Sequence, residues 1–575
     1  MTNAYAPTNE QKAIILHDGH AFVRACPGAG KTRTMVERAR HMLSATTDRR
    51  GVAFLSFTNA AVEELEGRLR TFGVLPSPLF PSFIGTFDRF LWQFFITPFG
   101  VDGCSHPPRL VPDKSEWEIK PYDTAQALKL KHFDRSTGAF VPAKALDTGF
   151  SSKAGPGAWE TVARDTIARA RDRGYLDFED VRDCVAERLA NAAFAARLGA
   201  ALNGRFREIV VDEAQDCNPA DLKIIDWLRK AGIKVKVVCD PNQAIYAFRG
   251  GLTDELIKFE TTFNSDDRLP MSGNFRSSPS ICAAISQLRP PATRGVRDQA
   301  VGRFKTETTS VQILSYSGAA VPATIGARFQ ALAARLDIPP AQAPVLAATW
   351  ASAGNAVGRA VPDAGNDKTL LLAEAVMGLH FAFAAGNRRE ALIRLHRVVL
   401  QIRGVIANAG DYTTHVTASG ADDGRWRPEI IALGQALRVC PGESADAWLK
   451  RARDLIGTTL VGSSTIGQRL RSNGKLDSVL VEVSPTALPA KAIHAVKGLE
   501  FPAVCVVLTA RTTGRILDVL SGTSTDPGAV EEARKIYVAA SRAERLLAIA
   551  VPKSRAAALK AHLDVDGHAA EILAI

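Results

Sequence analysis

The sequence predicts an α/β protein with two lobes, each built on a parallel β-sheet that is flanked by helices. Two observations support this fold class. Short apolar runs followed by polar loops alternate with helical stretches, an order typical of parallel sheets. These runs fall into one early and one late group along the chain. The 575 residues suffice for several domains, since one domain commonly takes about 100–200 residues.

The apolar runs predict the strands, and the stretches between them have the spacing of helices. The clearest predicted strands are Ala21–Ala25, Val52–Ser56, Glu208–Val211, Lys234–Cys239, Val311–Ser315, Val345–Ala348 and Ala503–Leu508. Helical stretches between the early strands include Thr34–Leu43 and Ala60–Leu69.

Two regions interrupt this alternation. Residues 101–175 mix Pro, Gly and charged residues and then turn helical, whereas residues 353–475 are rich in Ala, Leu and Arg. Helical periodicity in Leu371–Phe383 and Arg388–Ile402 predicts helices in the second region. We interpret both regions as mainly helical insertions. The predicted first lobe is thus residues 1–100 and 176–272 around an insertion at 101–175, and the second is 273–352 and 476–575 around an insertion at 353–475.

Charge and composition limit the classes of function. A formal net charge of +11 and a pI near 9.3 favour a polyanionic partner such as nucleic acid. The eight cysteines form no CxxC pair, which argues against a zinc ribbon or an iron–sulfur cluster and fits a reducing cytosol. The polar segment Met1–Gln11 predicts no signal peptide, and no apolar run reaches the ~18–20 residues that span a bilayer. We therefore expect a cytoplasmic protein without a membrane partner.

The segment Phe22–Thr32, FVRACPGAGKT, combines a strand, a glycine-bearing loop and a Lys-Thr pair that opens a helix. This order predicts a P-loop, in which Gly28 and Gly30 let backbone N–H groups point at phosphate oxygens. Lys31 then supplies a positive charge for the β- and γ-phosphates, and Thr32 a hydroxyl for Mg²⁺. The first glycine of the general pattern is Ala25 here, a residue small enough to fit. An ordinary glycine turn before a helix is the alternative interpretation.

A second phosphate-site element is Ile209–Asp216, IVVDEAQD, in which an apolar strand ends in two adjacent carboxylates. Asp212 is placed to hold Mg²⁺ and Glu213 to polarise the attacking water, which is the Walker-B arrangement of ATP-hydrolysing enzymes. A solvated strand end is the common alternative for such a pair, but the apolar run and the P-loop upstream argue against it.

DEAQD after a buried strand resembles motif II of the UvrD/Rep-type helicases of superfamily 1A. Eight motif-like segments follow that family's order between Thr8 and Arg545, and this order is more specific than any one motif. The resemblance implies two RecA-like P-loop lobes with ATP in the cleft between them and mainly helical 1B and 2B insertions. It also implies 3′→5′ movement on single-stranded DNA.

The resemblance assigns further residues to ATP. Gln11 in TNEQ would read the adenine edge, although TNEQ also has the pattern of a simple helix N-cap. Gln243 in CDPNQAIYAFRG would sense the γ-phosphate, and Glu500 in IHAVKGLEF would contact the ribose. In LPMSGNFRS, Phe275 would stack on adenine and Arg276 would be the first arginine finger, with Arg542 in RKIYVAASRAER as the second. The predicted nucleotide-binding residues are Gln11, Gly28, Ala29, Gly30, Lys31, Thr32, Arg33, Phe275 and Glu500, and the predicted catalytic residues are Lys31, Asp212, Glu213, Gln243, Arg276 and Arg542.

The remaining motifs resemble the family's DNA contacts. SFTNAA resembles motif Ia, and GTFD resembles motif Ib with Asp88 in place of the usual His. IHAVKGLEF resembles motif V and is preceded by Ala492 in place of the usual Thr. CDPNQAIYAFRG resembles motif III, and its aromatic pair, Tyr246 and Phe248, would form a stacking platform for bases, although core packing is the common alternative for such a pair. The predicted DNA-binding residues are Phe57, Thr58, Asn59, Thr86, Phe87, Tyr246, Phe248, Arg249, His494 and Lys497.

These motifs are compatible with two functions. One is an autonomous DNA helicase of repair or replication that acts on single strands and on junctions with duplex. The other is a helicase-like ATPase subunit that senses DNA ends or single strands and controls a partner nuclease, similar to the helicase-like subunit of Gabija anti-phage systems. About 218 residues separate Arg276 from His494, which is short for the family and predicts a reduced 2B insertion. We also expect no nuclease domain after the last motif. An ATPase that acts on RNA, or one that has lost translocation, is the remaining alternative.

Overall fold

The computed structural model divides into two compact units, Met1–Gly273 and Asn274–Ile575. The structure describes residues 6–44, 48–73, 79–102, 104, 106–111, 114–122, 124–151, 155–244, 253–291, 294–295, 297–358, 367–385, 388–407, 412, 415–416, 424–440, 442–480, 488–565 and 567–575. No helix in these ranges is long and apolar enough to cross a bilayer.

The first unit is built on six parallel strands. Its strands are β1 (Ala21–Ala25), β2 (Gly51–Ser56), β3 (Phe83–Thr86), β4 (Arg109–Leu110), β5 (Glu118–Ile119), β6 (Leu128–Lys129), β7 (Tyr175–Leu176), β8 (Phe206–Val211), β9 (Lys234–Cys239) and β10 (Arg268–Met271). The main sheet has the order β10–β1–β9–β8–β2–β3 with every neighbouring pair parallel. The predicted bounds of β1 and β9 are confirmed, and β2 and β8 begin slightly earlier than predicted.

Helices cover both faces of this sheet, which explains why most residues of its central strands are buried. The helices of this unit are α1 (Asn9–Leu16), α2 (Lys31–Ser44), α3 (Asn59–Thr71), α4 (Phe87–Leu91), α5 (Gly157–Asp172), α6 (Phe178–Ala190), α7 (Ala192–Arg205), α8 (Pro219–Lys230) and α9 (Thr253–Thr261). Ala21, Val23 and Ala25 of β1 belong to one buried cluster and Phe22 to the other. This alternation is the two-residue period of a strand, so the strand contributes to two cores.

Residues 101–175 contain less helix than the prediction of a mainly helical insertion. Among the described residues of this segment, α5 is the α-helix, and the preceding part has two-residue strands and single 3₁₀ turns. The Pro and Gly residues of this part explain the difference, because both interrupt regular helix. A small core around Phe133 and Trp159 holds the segment together.

The second unit contains a second six-stranded parallel sheet. Strand β11 (Gly273–Asn274) lies at the boundary between the two units. The strands that follow it in the second unit are β12 (Gln299–Ala300), β13 (Gln312–Tyr316), β14 (Val345–Ala347), β15 (Ala490–Ala492), β16 (Phe501–Val507), β17 (Ala543–Pro552) and β18 (Glu571–Ala574). The sheet order is β15–β14–β16–β17–β13–β18, again with parallel neighbours. Two parallel sheets flanked by helices confirm the predicted fold class of two RecA-like lobes.

A helical segment separates β14 from β15 in the chain. The helices of the second unit are α10 (Pro279–Gln287), α11 (Thr324–Ala334), α12 (Trp350–Ala356), α13 (Lys368–Ala385), α14 (Arg388–Arg403), α15 (Arg427–Ala436), α16 (Ala445–Ile456), α17 (Ile466–Arg469), α18 (Leu476–Val479), α19 (Thr513–Ser521), α20 (Pro527–Ala540) and α21 (Lys553–Leu563). Helices α13 to α18 share a core of their own, in which the fully buried Trp448 donates its Nε1–H to the Leu437 carbonyl at 2.8 Å.

One buried ion pair ties α2 to β8. The Arg38 Nε lies 2.9 Å from Glu208 Oε1 and its Nη2 lies 2.6 Å from Oε2, with both side chains almost fully buried. Arg38 Nη1 also donates to the Ile15 carbonyl at 2.7 Å. Removal of one partner leaves the other charge of the pair without its partner, whereas removal of both takes away both charges of the pair. The buried Lys236 nearby keeps its own hydrogen bonds to the His17 and Gly19 carbonyls.

We expect Arg38→Met to lower the free energy of unfolding by about 3–5 kcal/mol, because Glu208 then loses its buried counter-charge. The double variant Arg38→Met/Glu208→Leu should recover most of the loss. Arg68→Ala breaks the exposed Arg68–Glu64 pair (2.7 Å) and should change stability by less than about 1 kcal/mol. Urea unfolding measures all three. Equal losses for Arg38→Met and the double variant would show that the pair's charges do not decide the effect.

Candidate functional site

The predicted phosphate residues of the first unit all follow the ends of its parallel strands. The loop after β1 leads into α2, Asp212 and Glu213 follow β8, and a 3₁₀ turn, Pro241–Gln243, follows β9. Carboxyl ends of parallel strands meet at one edge of a sheet, so these groups converge there. Backbone hydrogen bonds hold the strand ends in place, with Cys26 N donating to Met271 O and Asp212 N to Leu55 O, each at 2.8 Å.

The loop between β1 and α2 has the backbone that a phosphate cradle requires. Gly28 and Gly30 have φ values of 69° and 75°, in the left-handed region that favours glycine. Helix α2 begins at Lys31, and Thr34 donates both its N–H and its hydroxyl to the Gly30 carbonyl at 2.9 and 3.1 Å. Amide groups of the loop and the first turn of a 14-residue helix thus lie where an anion binds.

Gln11 is buried beneath this loop. Its Nε2 donates to the Ala29 carbonyl at 3.0 Å, while its Oε1 accepts from Thr8 N–H at 3.0 Å. Thr8 in turn caps α1 through its hydroxyl, so the N-cap interpretation of TNEQ holds in the structure. Gln11 therefore supports the P-loop from below, and its contact with adenine stays a prediction.

Lys31 and the two carboxylates form the charged centre. Lys31 Nζ lies 3.6 Å from Glu213 Oε1. Burial, and secondarily the neighbouring Glu213 charge, raise the pKa of Asp212 well above its ordinary value, against the effect of Lys31. Glu213 has a left-handed backbone with φ 56°, which is uncommon for a residue with a side chain and typical of functional sites.

The donors at this centre fit a magnesium ion. Asp212 and the Thr32 hydroxyl are hard oxygen donors, and a cation beside Asp212 would offset the cost of its buried charge. No group of three or more His, Cys, Asp or Glu residues that could hold a metal occurs within the described ranges. Mg²⁺ commonly takes one or two protein ligands and completes its shell with water and substrate phosphates.

A chain of hydrogen bonds, which we name the motif II–III chain, connects the two turns after β8 and β9. The Gln215 side chain donates its Nε2–H to Glu213 Oε2 and accepts the Asp240 N–H at Oε1, over 3.1 Å. Asp240 Oδ2 then accepts Nε2–H of the buried Gln243 at 2.9 Å. Glu213 and Gln243 are predicted from the sequence, but Gln215 and Asp240 are not, because the link exists only once β8 and β9 lie side by side.

The remaining P-loop residue, Arg33, points along α2. Its Nε lies 3.7 Å from Glu37 Oε1, and its guanidinium carbon lies 5.4 Å from the centre of the Phe72 ring. Neither contact involves a nucleotide, so the role of Arg33 in nucleotide binding stays a prediction.

The predicted DNA contacts of the first unit lie at the same sheet edge. Thr58 caps α3 and Thr86 caps α4 through their hydroxyls, and Thr58 and Asn59 are exposed. Phe57 is half-buried and stacks on Phe87 with ring centres 5.4 Å apart. Phe87 itself is fully buried, so its side chain offers no surface to a strand and instead supports Phe57. Tyr246, Phe248 and Arg249 lie outside the described residues.

The unusual Asp88 has a structural partner. This partner is Arg182 of α6, whose Nη2 lies 2.8 Å from Asp88 Oδ1. The Nε of Arg182 lies 2.7 Å from Asp221 Oδ1, so Arg182 connects α4 to α8. Arg182 and Asp221 are buried, which favours a role in fixing the start of α4. The acidic residue at this motif Ib position is therefore part of an ion-pair cluster.

In the second unit, the two predicted arginine fingers lie around Ser541. Arg276 Nη1 donates to the Ser541 carbonyl at 2.7 Å, and its Nη2 pairs with Glu500. Arg542 is buried and donates Nε–H to the Val538 carbonyl and Nη2–H to the Ser541 hydroxyl, each at 3.0 Å. The predicted ribose contact Glu500 is therefore held beside Arg276.

Phe275 is half-buried, and its backbone approaches Gly302 closely. A Cβ on Gly302 would overlap the Phe275 carbonyl, and Val301 N donates to Asn274 O at 2.9 Å beside it. Gly302 is not predicted as a site residue, because nothing in the local sequence distinguishes it from other loop glycines. In motif V, His494 is exposed and Lys497 half-buried, both in the segment that follows β15.

Residues 7–264 match the family model described as the UvrD/REP helicase N-terminal domain. The putative ATP-dependent DNA helicase YjcD of Bacillus subtilis is 25% identical over 48% of this chain and 37% of its own length. The ATP-dependent DNA helicase UvrD2 of Mycobacterium tuberculosis is 25% identical over 95% of this chain and 78% of its own length. DNA helicase II of Haemophilus influenzae is 24% identical over 47% and 38%. The chain thus spans less than two fifths of several curated relatives.

We expect Gly302→Ala to weaken nucleotide binding about three- to tenfold, because the added methyl group displaces Phe275 and an aromatic stack is worth roughly 0.5–1.5 kcal/mol. Gly378→Ala is the matched control, since its added Cβ meets nothing within 4 Å in the described residues. A titration with fluorescent ADP measures both. Unchanged affinity in Gly302→Ala would remove Phe275 from the nucleotide site.

Proposed function

We propose that this chain, which carries a UvrD/REP helicase N-terminal domain, is a DNA-dependent ATPase that moves along single-stranded DNA. The observation that carries the proposal is the motif II–III chain. It joins Glu213, beside the phosphate-site lysine, to Gln243 in the segment that continues into the predicted base-stacking aromatics. A change at the γ-phosphate can therefore reach the DNA contacts through four adjoining side chains.

The hydrolysis step follows from the charges of the site. The N–H groups of the P-loop and Lys31 bind the phosphates, and Thr32 and Asp212 would hold Mg²⁺. The ion, when bound, neutralises charge on the β- and γ-phosphate oxygens. Glu213 accepts a hydrogen bond from the attacking water and orients it, and Gln215 keeps the Glu213 carboxylate aimed at that water. Positioning and charge stabilisation account for the catalysis.

The second unit would contribute cations to the same reaction. We propose that Arg276 and Arg542 act on the γ-phosphoryl group, where arginine fingers raise rates by about 10³–10⁵. The Arg276–Glu500 pair keeps the Arg276 side chain ordered when no phosphate is present. Glu500 would then exchange this partner for the ribose hydroxyls. The proposed direction of movement along the DNA strand, 3′→5′, rests on family resemblance alone.

The DNA contacts of the first unit would form at the edge where β2 and β3 end, and those of the second unit would follow β15. Exposed Thr58, Asn59 and His494 supply donors for phosphate oxygens, and Phe57 offers part of a ring to a base. Phe87 acts only by supporting Phe57.

Glu213→Gln should abolish ATP turnover, because the amide no longer accepts the proton of the attacking water. Lys31→Ala should do the same by losing phosphate binding. Both variants should keep single-strand affinity within about threefold, as neither residue lies among the DNA contacts. Steady-state hydrolysis with and without single-stranded DNA measures the effect, and the control is Glu66→Gln, which weakens an exposed pair with Arg70 in α3. Full turnover in Glu213→Gln would disprove its role.

Arg276→Ala should lower kcat for ATP by at least about 10³-fold while nucleotide affinity changes far less, because a finger acts mainly in the transition state. The control is Arg515→Ala, which breaks an exposed pair with Asp526 in the same unit. A loss confined to KM would make Arg276 a ground-state binding residue instead.

A strand-displacement assay on a 3′-tailed duplex separates the two candidate functions. DNA-stimulated hydrolysis with strand displacement supports the autonomous helicase. Stimulation without displacement supports the alternative, a DNA-sensing ATPase that regulates a partner nuclease. No stimulation by any DNA would overturn both.

A further inference from the structure

The first unit has a second cationic feature at the edge of its sheet opposite to the candidate site. A cavity of about 550 Å³ is bordered by residues 48–50, which precede β2, by Phe80 and Pro81, which precede β3, and by Arg205, which precedes β8. The candidate site lies where the same strands end. A six-residue strand spans roughly 20 Å, so the two places are distinct.

An exposed aromatic ring stands at this cavity. The Phe80 side chain is 68% exposed, and the Arg205 guanidinium carbon lies 5.0 Å from its ring centre. Arg205 is also held by the rings of Phe94 and Phe206 and by Nε donation to the Pro81 carbonyl at 3.0 Å. Single-strand binding proteins use such a ring, ordered by a guanidinium, as a platform for bases.

Arg207, the next residue but one, is 8% exposed and lacks hydrogen-bond partners at Nε and Nη2 within the described part of the chain. The charges that act on Arg207 are those of Asp48, Glu208, Arg50 and Arg38, of which Asp48 and Arg50 line the cavity and Glu208 is paired with Arg38. Asp48 already pairs with Arg50 at 2.8 Å. A buried guanidinium without partners is costly, and an anion would satisfy it.

We propose that this basic recess, lined by Arg49, Phe80 and Arg205 and with the charge of Arg207 nearby, binds a segment of single-stranded DNA, with a phosphate at the arginines and a base on Phe80. Because Arg50 neutralises Asp48, Arg49 and Arg205 give the recess its positive charge, and Arg207 adds to it. The volume suits one nucleotide. An acidic protein segment would supply an anion but no planar partner for the exposed ring, so the strand is the better occupant. The inference rests on the proposed function in taking DNA as the polymer.

The test compares binding of two thymidine oligonucleotides, one of about 10 nucleotides and one of about 40, long enough to reach both edges of the sheet. Phe80→Ala/Arg49→Ala should lower affinity for the long oligonucleotide about tenfold and flatten its salt dependence. Affinity for the short one, and the hydrolysis it stimulates, should stay within about twofold. The control is Phe99→Ala/Arg40→Ala, since Phe99 is likewise an exposed ring beside a guanidinium, that of Arg188.

Arg207→Met provides an independent variant, because it removes the buried charge without breaking any hydrogen bond at Nε or Nη2. It should lower long-oligonucleotide affinity without lowering the unfolding midpoint. If Arg207→Met is destabilised but binds the long oligonucleotide with normal affinity, Arg207 has a structural role, and its proposed role in DNA binding is overturned.

Unchanged long-oligonucleotide affinity in the double variant overturns the recess while leaving the proposed function standing. Equal loss for both lengths also overturns it, because the recess is then not separate from the main DNA contacts. Polyglutamate that binds through Phe80 and Arg49 while DNA affinity is unchanged would make the occupant an acidic protein. Failure of the wild-type protein to bind either oligonucleotide overturns the proposed function as well.

Discussion

The register of the first parallel sheet is the constraint on which the candidate site depends. Every phosphate-site group follows directly from the end of β1, β8 or β9, and backbone hydrogen bonds such as Asp212 N to Leu55 O align those ends. A shift of one strand by one residue would turn its side chains to the opposite face. The buried Arg38–Glu208 pair secures this register further, because it joins the helix after the P-loop to the strand before the two carboxylates.

The chemistry of the site concentrates like and unlike charges in a small volume. Two carboxylates, one lysine and a left-handed Glu213 backbone form an arrangement that is poorly compensated until phosphate and a cation join it. The motif II–III chain connects these charges to the turn that follows β9. Because Gln215 contacts both Glu213 and the Asp240 backbone, a change in Glu213 alters the support of Gln243. In the function proposed above, the same polar chain would connect ATP hydrolysis to the DNA contacts.

The positions where the chain departs from the family's motifs have local explanations. Ala25 is fully buried at the end of β1, where a small residue is needed. Asp88 belongs to a cluster with Arg182 and Asp221 and stabilises the start of α4. Asp88 thus changes how α4 is joined to α6 and α8.

The sequence by itself determined the two-sheet fold, most strand positions, the P-loop and the Walker-B carboxylates. These depend on residues that are neighbours in the chain, such as the two glycines before Lys31 or the apolar run before Asp212. Tertiary structure decided the rest. Phe87 proved to be core, Gly302 is pressed against Phe275, and the basic recess unites residues 48–50 with Phe80 and Arg205. Each of these depends on segments that are distant in sequence, and only packing of the sheets and their helices brings such segments within contact distance.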